Sequence, residues 1–205
     1  MKVRSVDGTT NRATDRVEAT RQRILAAALK VFAQRGYDGT AVPLIATEAG
    51  VGTGTIYRHF QNKEHLVNVL FRETKRRLWA GVLGGLDPSG DPEDLFASVW
   101  AGLGQFAHEE PLAFQFVEMQ HHAPYLDNES RELERKVMLP LAEWIGGQGK
   151  GAVAVDPEHL IAMFWGAFVG LVKAERLGQL ALDENSIRHA GKRLWRGMRM
   201  VPKHD

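Results

Sequence analysis

With 205 residues, 44% of them apolar, the chain is long enough for one large or two small domains with a sizeable core. It has no cysteine, which excludes disulfides and thiolate metal sites and agrees with a reducing cytoplasm. A net charge of +1 conceals a split: residues 1–77 hold 14 Lys and Arg against 7 Asp and Glu, and residues 78–205 hold 12 against 18, so only the basic N-terminal third suits a polyanion.

Residues 1–14 are polar and aperiodic and read as a disordered tail, in which Lys2, Arg4 and Arg12 form either a basic arm or an inert extension. The segment MKVRSVDGTTNRATDR lacks the apolar stretch of a signal peptide. A first helix is expected from Asp15, with Glu18 three residues on as in a capping box, to Arg35, ending at Gly36. Its stripe is Leu25, Ala28, Leu29 and Phe32.

The stretch TAVPLIATEAGVGTGTIYRHFQNK, Thr40 to Lys63, then spells two short helices and a tight turn. Thr40 is placed as the N-cap and Pro43 within the first turn, where a missing N–H costs little. Leu44, Ile45 and Ala49 are the expected apolar set, and Gly50 the left-handed residue at the helix end. Val51 plugs the corner. Gly52 or Thr53 opens the next helix, on which Ile56 and Phe60 face inward while Thr53, Thr55, Tyr57, Arg58 and His59 face outward. This is helix-turn-helix geometry, a way of presenting side chains to a DNA groove.

Positions 17–77 resemble the DNA-binding domain of the TetR family of bacterial one-component regulators. The resemblance is carried by Ile45-Ala46, Ala49-Gly50-Val51, Gly54-Thr55-Ile56-Tyr57, His59-Phe60 and Asn62-Lys63-Glu64-His65-Leu66. Gly52 and Thr53 depart from the family's commoner Ser or Thr and Lys or Arg, and Pro43 and Leu44 stand where polar residues are common. The resemblance implies that Thr53, Thr55, Tyr57, Arg58 and His59 meet the major groove or its phosphates, with Thr40 at the edge. Arg58 is the best base reader, since its fork can bond O6 and N7 of guanine together. Lys63, at the start of the fourth helix, is placed on a phosphate.

Asn62 is expected to cap a fourth helix running to about Gly84, and GGLDPSGDP, Gly84 to Pro92, reads as a linker. Helices follow near 92–108, 111–122, 127–146 (kinked at Pro140), 157–177 and 184–199. The longest apolar run, Leu160 to Val172, falls short of the ~20 residues a membrane span needs, so no membrane partner is expected. The fold expected is therefore all-α with about nine helices: a tail at 1–14, a helix-turn-helix DNA-binding domain at 15–84, and a ligand-binding and dimerisation domain at 85–205.

Within that second domain Trp100, Phe106, Phe114, Glu118, Met119, His121, Tyr125 and Met163 are candidates for a ligand pocket, with ordinary core as the alternative for each aromatic. A metal held by Glu118 and His121 is a weak reading, because no third ligand is evident. Phe164, Trp165, Phe168 and Val172, beside Leu194, Trp195 and Met198, are the expected dimer surface, since the family pairs its last two helices between subunits. No catalytic residue, metal or cofactor is assigned, as there is no phosphate loop, nucleophile elbow or paired-carboxylate site. The function expected is a dimeric repressor of a palindromic double-stranded DNA operator, released by a small apolar or amphipathic effector. The alternatives are an activator or a ligand-independent architectural DNA-binding protein.

Overall fold

A computed structural model describes residues 7–87, 89–147 and 156–198. The described residues form nine helices and no strand, in two compact units, Met1–Phe71 and Arg72–Asp205. The division falls inside a helix, between Phe71 and Arg72, and not in the Gly84–Pro92 segment expected to carry it.

The first unit contains α1 (Asp7–Arg35), α2 (Val42–Ala49), α3 (Thr53–His59) and the first half of α4 (Lys63–Leu83). Helix α1 begins at Asp7, so residues 7–14 are helical and not a tail; Lys2 and Arg4 lie outside the described residues. The expected capping box is absent because Glu18 is already inside the helix, where its carboxylate accepts hydrogen bonds from Gln22 at 2.7 Å and Arg21 at 3.3 Å. The other end is as expected: Gly36 takes φ 68° and its N–H bonds Phe32 O at 2.8 Å.

The α2–α3 turn is a Schellman closure. Gly50 sits at φ 63°, ψ 38°, its N–H reaching Thr47 O at 3.1 Å and that of Val51 reaching Ala46 O at 3.0 Å. Pro43 occupies the first turn, but the N-cap is Ala41 and has no side-chain bond. Thr40 is instead buried, its hydroxyl donating back to Gly36 O at 2.6 Å. It therefore closes the preceding loop and is neither cap nor surface contact. Val42, Ile45 and Ala46 are the buried face of α2, whereas Leu44 is 40% exposed. They meet Ile24, Ala28 and Phe32 of α1, Ile56 of α3, Phe60, and Leu66 and Leu70 of α4 in one apolar core. Asn62 caps α4 as expected, accepting the His65 N–H at 2.7 Å.

The second unit holds the rest of α4 with α5 (Pro92–Glu109), α6 (Pro111–Glu118), α7 (Asn128–Gly147), α8 (Pro157–Arg176) and α9 (Glu184–Met198). Carboxylates open three of these helices: Asp91 accepts from Glu93 and Asp94 N–H, Asp127 from Ser130, and Asp183 from Ser186. Helix α6 stops at Glu118, short of the expected residue 122. The chain turns there because His122 is buried under α6, bonding Phe116 O through Nε2 and accepting the Tyr125 O–H at Nδ1 over 2.7 Å. Pro140 lies inside α7, which continues through it.

An aromatic cluster fills the centre of this unit. The Phe96 ring lies 5.2 Å from Trp195 and 5.3 Å from Phe164, and Phe168 lies 5.5 Å from Trp100 and 5.8 Å from Phe114. Helices α5 and α9 approach closely over Gly191, where an added Cβ would stand 3.2 Å from Trp100 Cβ and 3.5 Å from Ala97 Cα. Gly191→Ala must then push the helices apart, lowering stability by about 1–3 kcal/mol. Gly170→Ala, facing open space inside α8, should instead raise stability by about 0.5–1 kcal/mol, and thermal unfolding of the two variants checks the contrast.

Candidate nucleic-acid interface and effector cavity

Helix α3 stands on two anchors, Ile56 and Phe60, which are 1% and 2% exposed. With that face fixed, the helical period turns the rest outward. Tyr57 is 52% exposed and Arg58 is exposed, while Thr53, Thr55 and His59 are half-buried on the flanks. Arg58 Nη2 donates to Thr55 Oγ1 at 3.1 Å, so the guanidinium lies along the helix towards its N-terminal edge. Of the seven residues expected to face DNA, Tyr57 and Arg58 are exposed and Thr53, Thr55 and His59 flank them half-buried. Thr40 is buried elsewhere, and Lys63 turns inward.

Lys63 Nζ donates to Tyr37 O at 2.9 Å and Thr40 O at 3.0 Å, and sits 3.9 Å from the centre of the Tyr37 ring. Two of its three N–H groups are spent on the loop after α1. Burial holds the Tyr37 hydroxyl above its ordinary pKa, with Glu64 and Asp38 adding to it. The ammonium staples the α1–α2 loop to the start of α4, and its role as a phosphate contact is at best secondary. A second clamp joins α1 to α2, Lys30 Nζ to Glu48 Oε1 at 2.7 Å.

In the second unit the eight expected pocket residues do not come together. Trp100 and Phe114 are core, Phe106 is buried on α5, Tyr125 holds the His122 turn, and Met119 ends α6. His121 and Met163 are exposed. With Glu118 buried and His121 in solvent the pair cannot share an ion, and no metal-holding group of His, Asp and Glu occurs among the described residues. An apolar cavity of about 400 Å³ opens instead between α4, α5 and α7, with walls including Trp79, Leu83, Leu95, Val99, Leu141 and Trp144. Its trace in the sequence is three apolar pairs four apart, 79/83, 95/99 and 137/141.

Next to it lies a buried ionic group. Lys75 Nζ contacts Glu118 Oε1 at 2.9 Å and Glu134 Oε1 at 3.1 Å, and Trp165 Nε1 donates to Glu118 Oε2 at 2.7 Å. Trp165 in turn stacks on the cavity wall Trp79 with centroids 6.1 Å apart. Burial works against the Lys75 charge, but the two carboxylates outweigh it and hold the pKa above the ordinary lysine value. Burial pushes the Glu118 carboxyl up, against the pull of Lys75 and Trp165.

The expected dimer residues divide similarly. Phe164, Phe168, Val172 and Trp195 are at most 3% exposed and spend their surface inside the subunit's own core. Trp165, Leu194 and Met198 are half-buried. The outer face of α8 is made of Ala162, Met163, Gly166 and Gly170.

Residues 24–70 match the family model "Bacterial regulatory proteins, tetR family", and residues 82–200 match "Tetracyclin repressor-like, C-terminal domain". The chain belongs to the TetR family. The HTH-type transcriptional regulator RutR of Escherichia coli (strain K12) is 29% identical over 161 residues, 77% of this chain and 76% of that protein. The uncharacterized HTH-type transcriptional regulator YhgD of Bacillus subtilis (strain 168) is 41% identical over 66 residues, 32% of this chain and 35% of that protein. This chain therefore matches only about a third of the length of that relative. A solved TetR family transcription regulator from Marinobacter aquaeolei VT8 shares the fold, with TM-score 0.78 and 22% identity over 89% of this chain and 97% of that one.

The relatives are named as transcriptional regulators and not as enzymes, and DNA binding through the first unit is the family's activity. No helix of the described residues is long and apolar enough to cross a membrane.

Two measurements check the geometry. Lys63→Met removes a staple of two hydrogen bonds and a ring contact and should lower stability by about 1–3 kcal/mol, while leaving the ranking of DNA sequences unchanged. An unaltered melting temperature with a uniform loss of DNA affinity would return Lys63 to the phosphate role. Burial pushes the His122 pKa down to about 4, against the pull of its bond to Phe116 O. An unfolded histidine protonates near 6.5, so the unfolded chain binds the proton first as the pH falls. The contribution is complete above about pH 6.5 and is lost progressively towards pH 4, at most about 3 kcal/mol. Denaturant midpoints should fall across that window, and the slope should flatten in His122→Gln.

Proposed function

We propose that the chain is a cytoplasmic, dimeric repressor that covers a palindromic operator and is released when a small apolar or amphipathic molecule enters the α4–α5–α7 cavity. The observation that carries this reading is the cavity's position on α4. Trp79 and Leu83 form part of its wall, and the same unbroken helix supplies Leu66 and Leu70 to the core beneath α3. A molecule that favours one placement of Trp79 and Leu83 acts on the helix that carries the reading head. It shifts the equilibrium only by the difference in its affinity for the two states.

One such head reads only a few base pairs. Two-fold pairing, with half-sites about 34–36 Å apart, is the physical route to a selective operator. The surface that supports pairing is the outer face of α8, where Ala162, Gly166 and Gly170 recur every four residues beside Met163. Gly166 and Gly170 have open space where a Cβ would stand, so a second helix can approach their backbone. Leu194 and Met198 of α9 are half-buried and have surface left to give to the same contact.

On the operator, Arg58 reads a guanine edge, with Tyr57, Thr55, Thr53 and His59 on phosphates or thymine methyls. Arg58→Ala should relax preference at one base pair per half-site and cost about 1–3 kcal/mol there. The measurement is competition binding against a panel of single-base operator variants. Footprinting on DNA flanking the coding region, repeated with apolar and amphipathic compounds, tests the whole reading. The expected result is a protected palindrome whose protection a compound relieves. Protection that no compound alters would leave a ligand-independent DNA-binding protein, and the absence of specific protection would overturn the reading.

A further inference from the structure

Two buried cations of α4 each hold a group of carboxylates, and among the described residues only one group has as many cations as anions. Around Arg72 the two cations Arg72 and Arg76 face the two carboxylates Asp127 and Glu129. Around Lys75 a single cation is paired with both Glu118 and Glu134. Glu132, on the next turn, is held by Arg135 and Lys136 and lends neither of them. Of the nearby imidazoles, buried His122 bonds a carbonyl and stays neutral near pH 7, because burial keeps its pKa at about 4. Among the described residues the Lys75 group therefore sets two carboxyls against one cation. Glu118 is buried while Glu134 is half-exposed, so Glu134 is where a further cation can join the group.

This group sits one helical turn from the apolar cavity along two of its walls. On α4, Lys75 precedes the wall residue Trp79 by four positions, and on α7, Glu134 precedes the wall residue Val137 by three. Residues at those spacings lie on one helix face. The screen between cavity and charge is a stacked indole pair, Trp79 on Trp165, and Trp165 already bonds Glu118. Indole faces attract cations, and Lys75 Nζ lies 5.8 Å from the Trp165 ring centre. The side chain of Glu134 is 42% exposed, so its carboxylate can meet an incoming group without unfolding the cluster.

We propose that the effector is a cationic amphiphile, its apolar body in the cavity walled by Trp79, Leu83, Leu141 and Trp144 and its ammonium or guanidinium head donating to the half-exposed Glu134 beside Lys75. This rests on the reading of that cavity as the effector site. The apolar body gains from burial and the head supplies a second cation. An anionic head has only Lys75 to address, and Lys75 is already claimed by two carboxylates. A neutral amphiphile gains the cavity alone.

Three probes with one tail separate these cases: decylammonium, decanol and decanoate, each added to the full-length protein below its micelle-forming concentration. Binding is read by titration calorimetry and by tryptophan fluorescence. Decylammonium is expected to bind at least about tenfold more tightly than decanol, with decanoate weakest. Glu134→Gln is expected to remove the advantage of decylammonium and leave decanol unchanged. Equal binding of the three probes, tighter binding of decanoate, or an unaltered preference in Glu134→Gln would overturn the charge assignment and leave the cavity standing. Leu141→Trp, which fills the cavity, separates that failure from the larger one. If no probe binds, or binding survives Leu141→Trp, the cavity is not the effector site and both readings fall.

Discussion

Two cations buried in the middle of α4 constrain the second unit more tightly than any apolar contact does. Arg72 and Lys75 are 7% and 3% exposed, on a helix whose neighbouring turns are apolar. Ions removed from water are tolerated only where partners sit at close range with good geometry. Arg72 Nη1 donates to Asp127 Oδ2 at 2.8 Å and to Ser130 Oγ at 3.0 Å, and Lys75 holds Glu118 and Glu134. These bonds fix the end of α6, the turn at 119–127 and the start of α7 against one face of α4. Apolar surfaces slide past each other at modest cost, whereas removing one member of a buried pair costs about 3–5 kcal/mol. Helix α4 therefore has few allowed positions in its own unit, as expected of an element with a small number of discrete states.

The aromatic cluster supplies the complementary constraint. Phe96, Trp100, Phe114, Phe164, Phe168 and Trp195 interlock at ring separations of 5.2–6.3 Å and bring α5, α6, α8 and α9 into one core. A space lies where aliphatic walls meet, along Leu95 and Val99 of α5 and Val137 and Leu141 of α7. Trp144 belongs to both regions, stacking on Trp195 at 5.5 Å while one side of it lines the cavity.

What the sequence disclosed divides along the same physical line. Features decided within a few residues were legible: the left-handed Gly36 and Gly50, Pro43 in its first turn, Asn62 as a cap, and Ile56 with Phe60 on one face. Features decided by residues far apart were not. Thr40 has the chemistry of a cap, but its hydroxyl finds Gly36 O first. Lys63 has the charge for phosphate, but Tyr37, 26 residues away, offers it a carbonyl and a ring. The aromatics expected in a pocket or dimer surface are large, and size is also what draws a residue into a core. The exposure of Tyr57 and Arg58 follows from local pattern alone, since Ile56 on the seven-residue helix α3 and Phe60 just after it are buried.

The cavity and the ionic group act on α4 by different physics, and that difference bears on control. Filling an apolar space rewards any molecule of suitable size, roughly in proportion to the surface removed from water. Such a gain is large but unselective, and it distinguishes two placements of α4 only if one of them closes the space. Adding a charge beside Lys75, Glu118 and Glu134 is selective by sign, because the group sets two carboxyls against one cation. A head group that draws Glu118 or Glu134 away from Lys75 also loosens a contact that fixes α4. The apolar body then provides affinity and the head provides the differential between states. Differential affinity, and not tightness of binding, is the quantity that moves a two-state equilibrium. An apolar guest moves that equilibrium only where one placement of α4 closes the space, whereas a charged head adds a differential of its own.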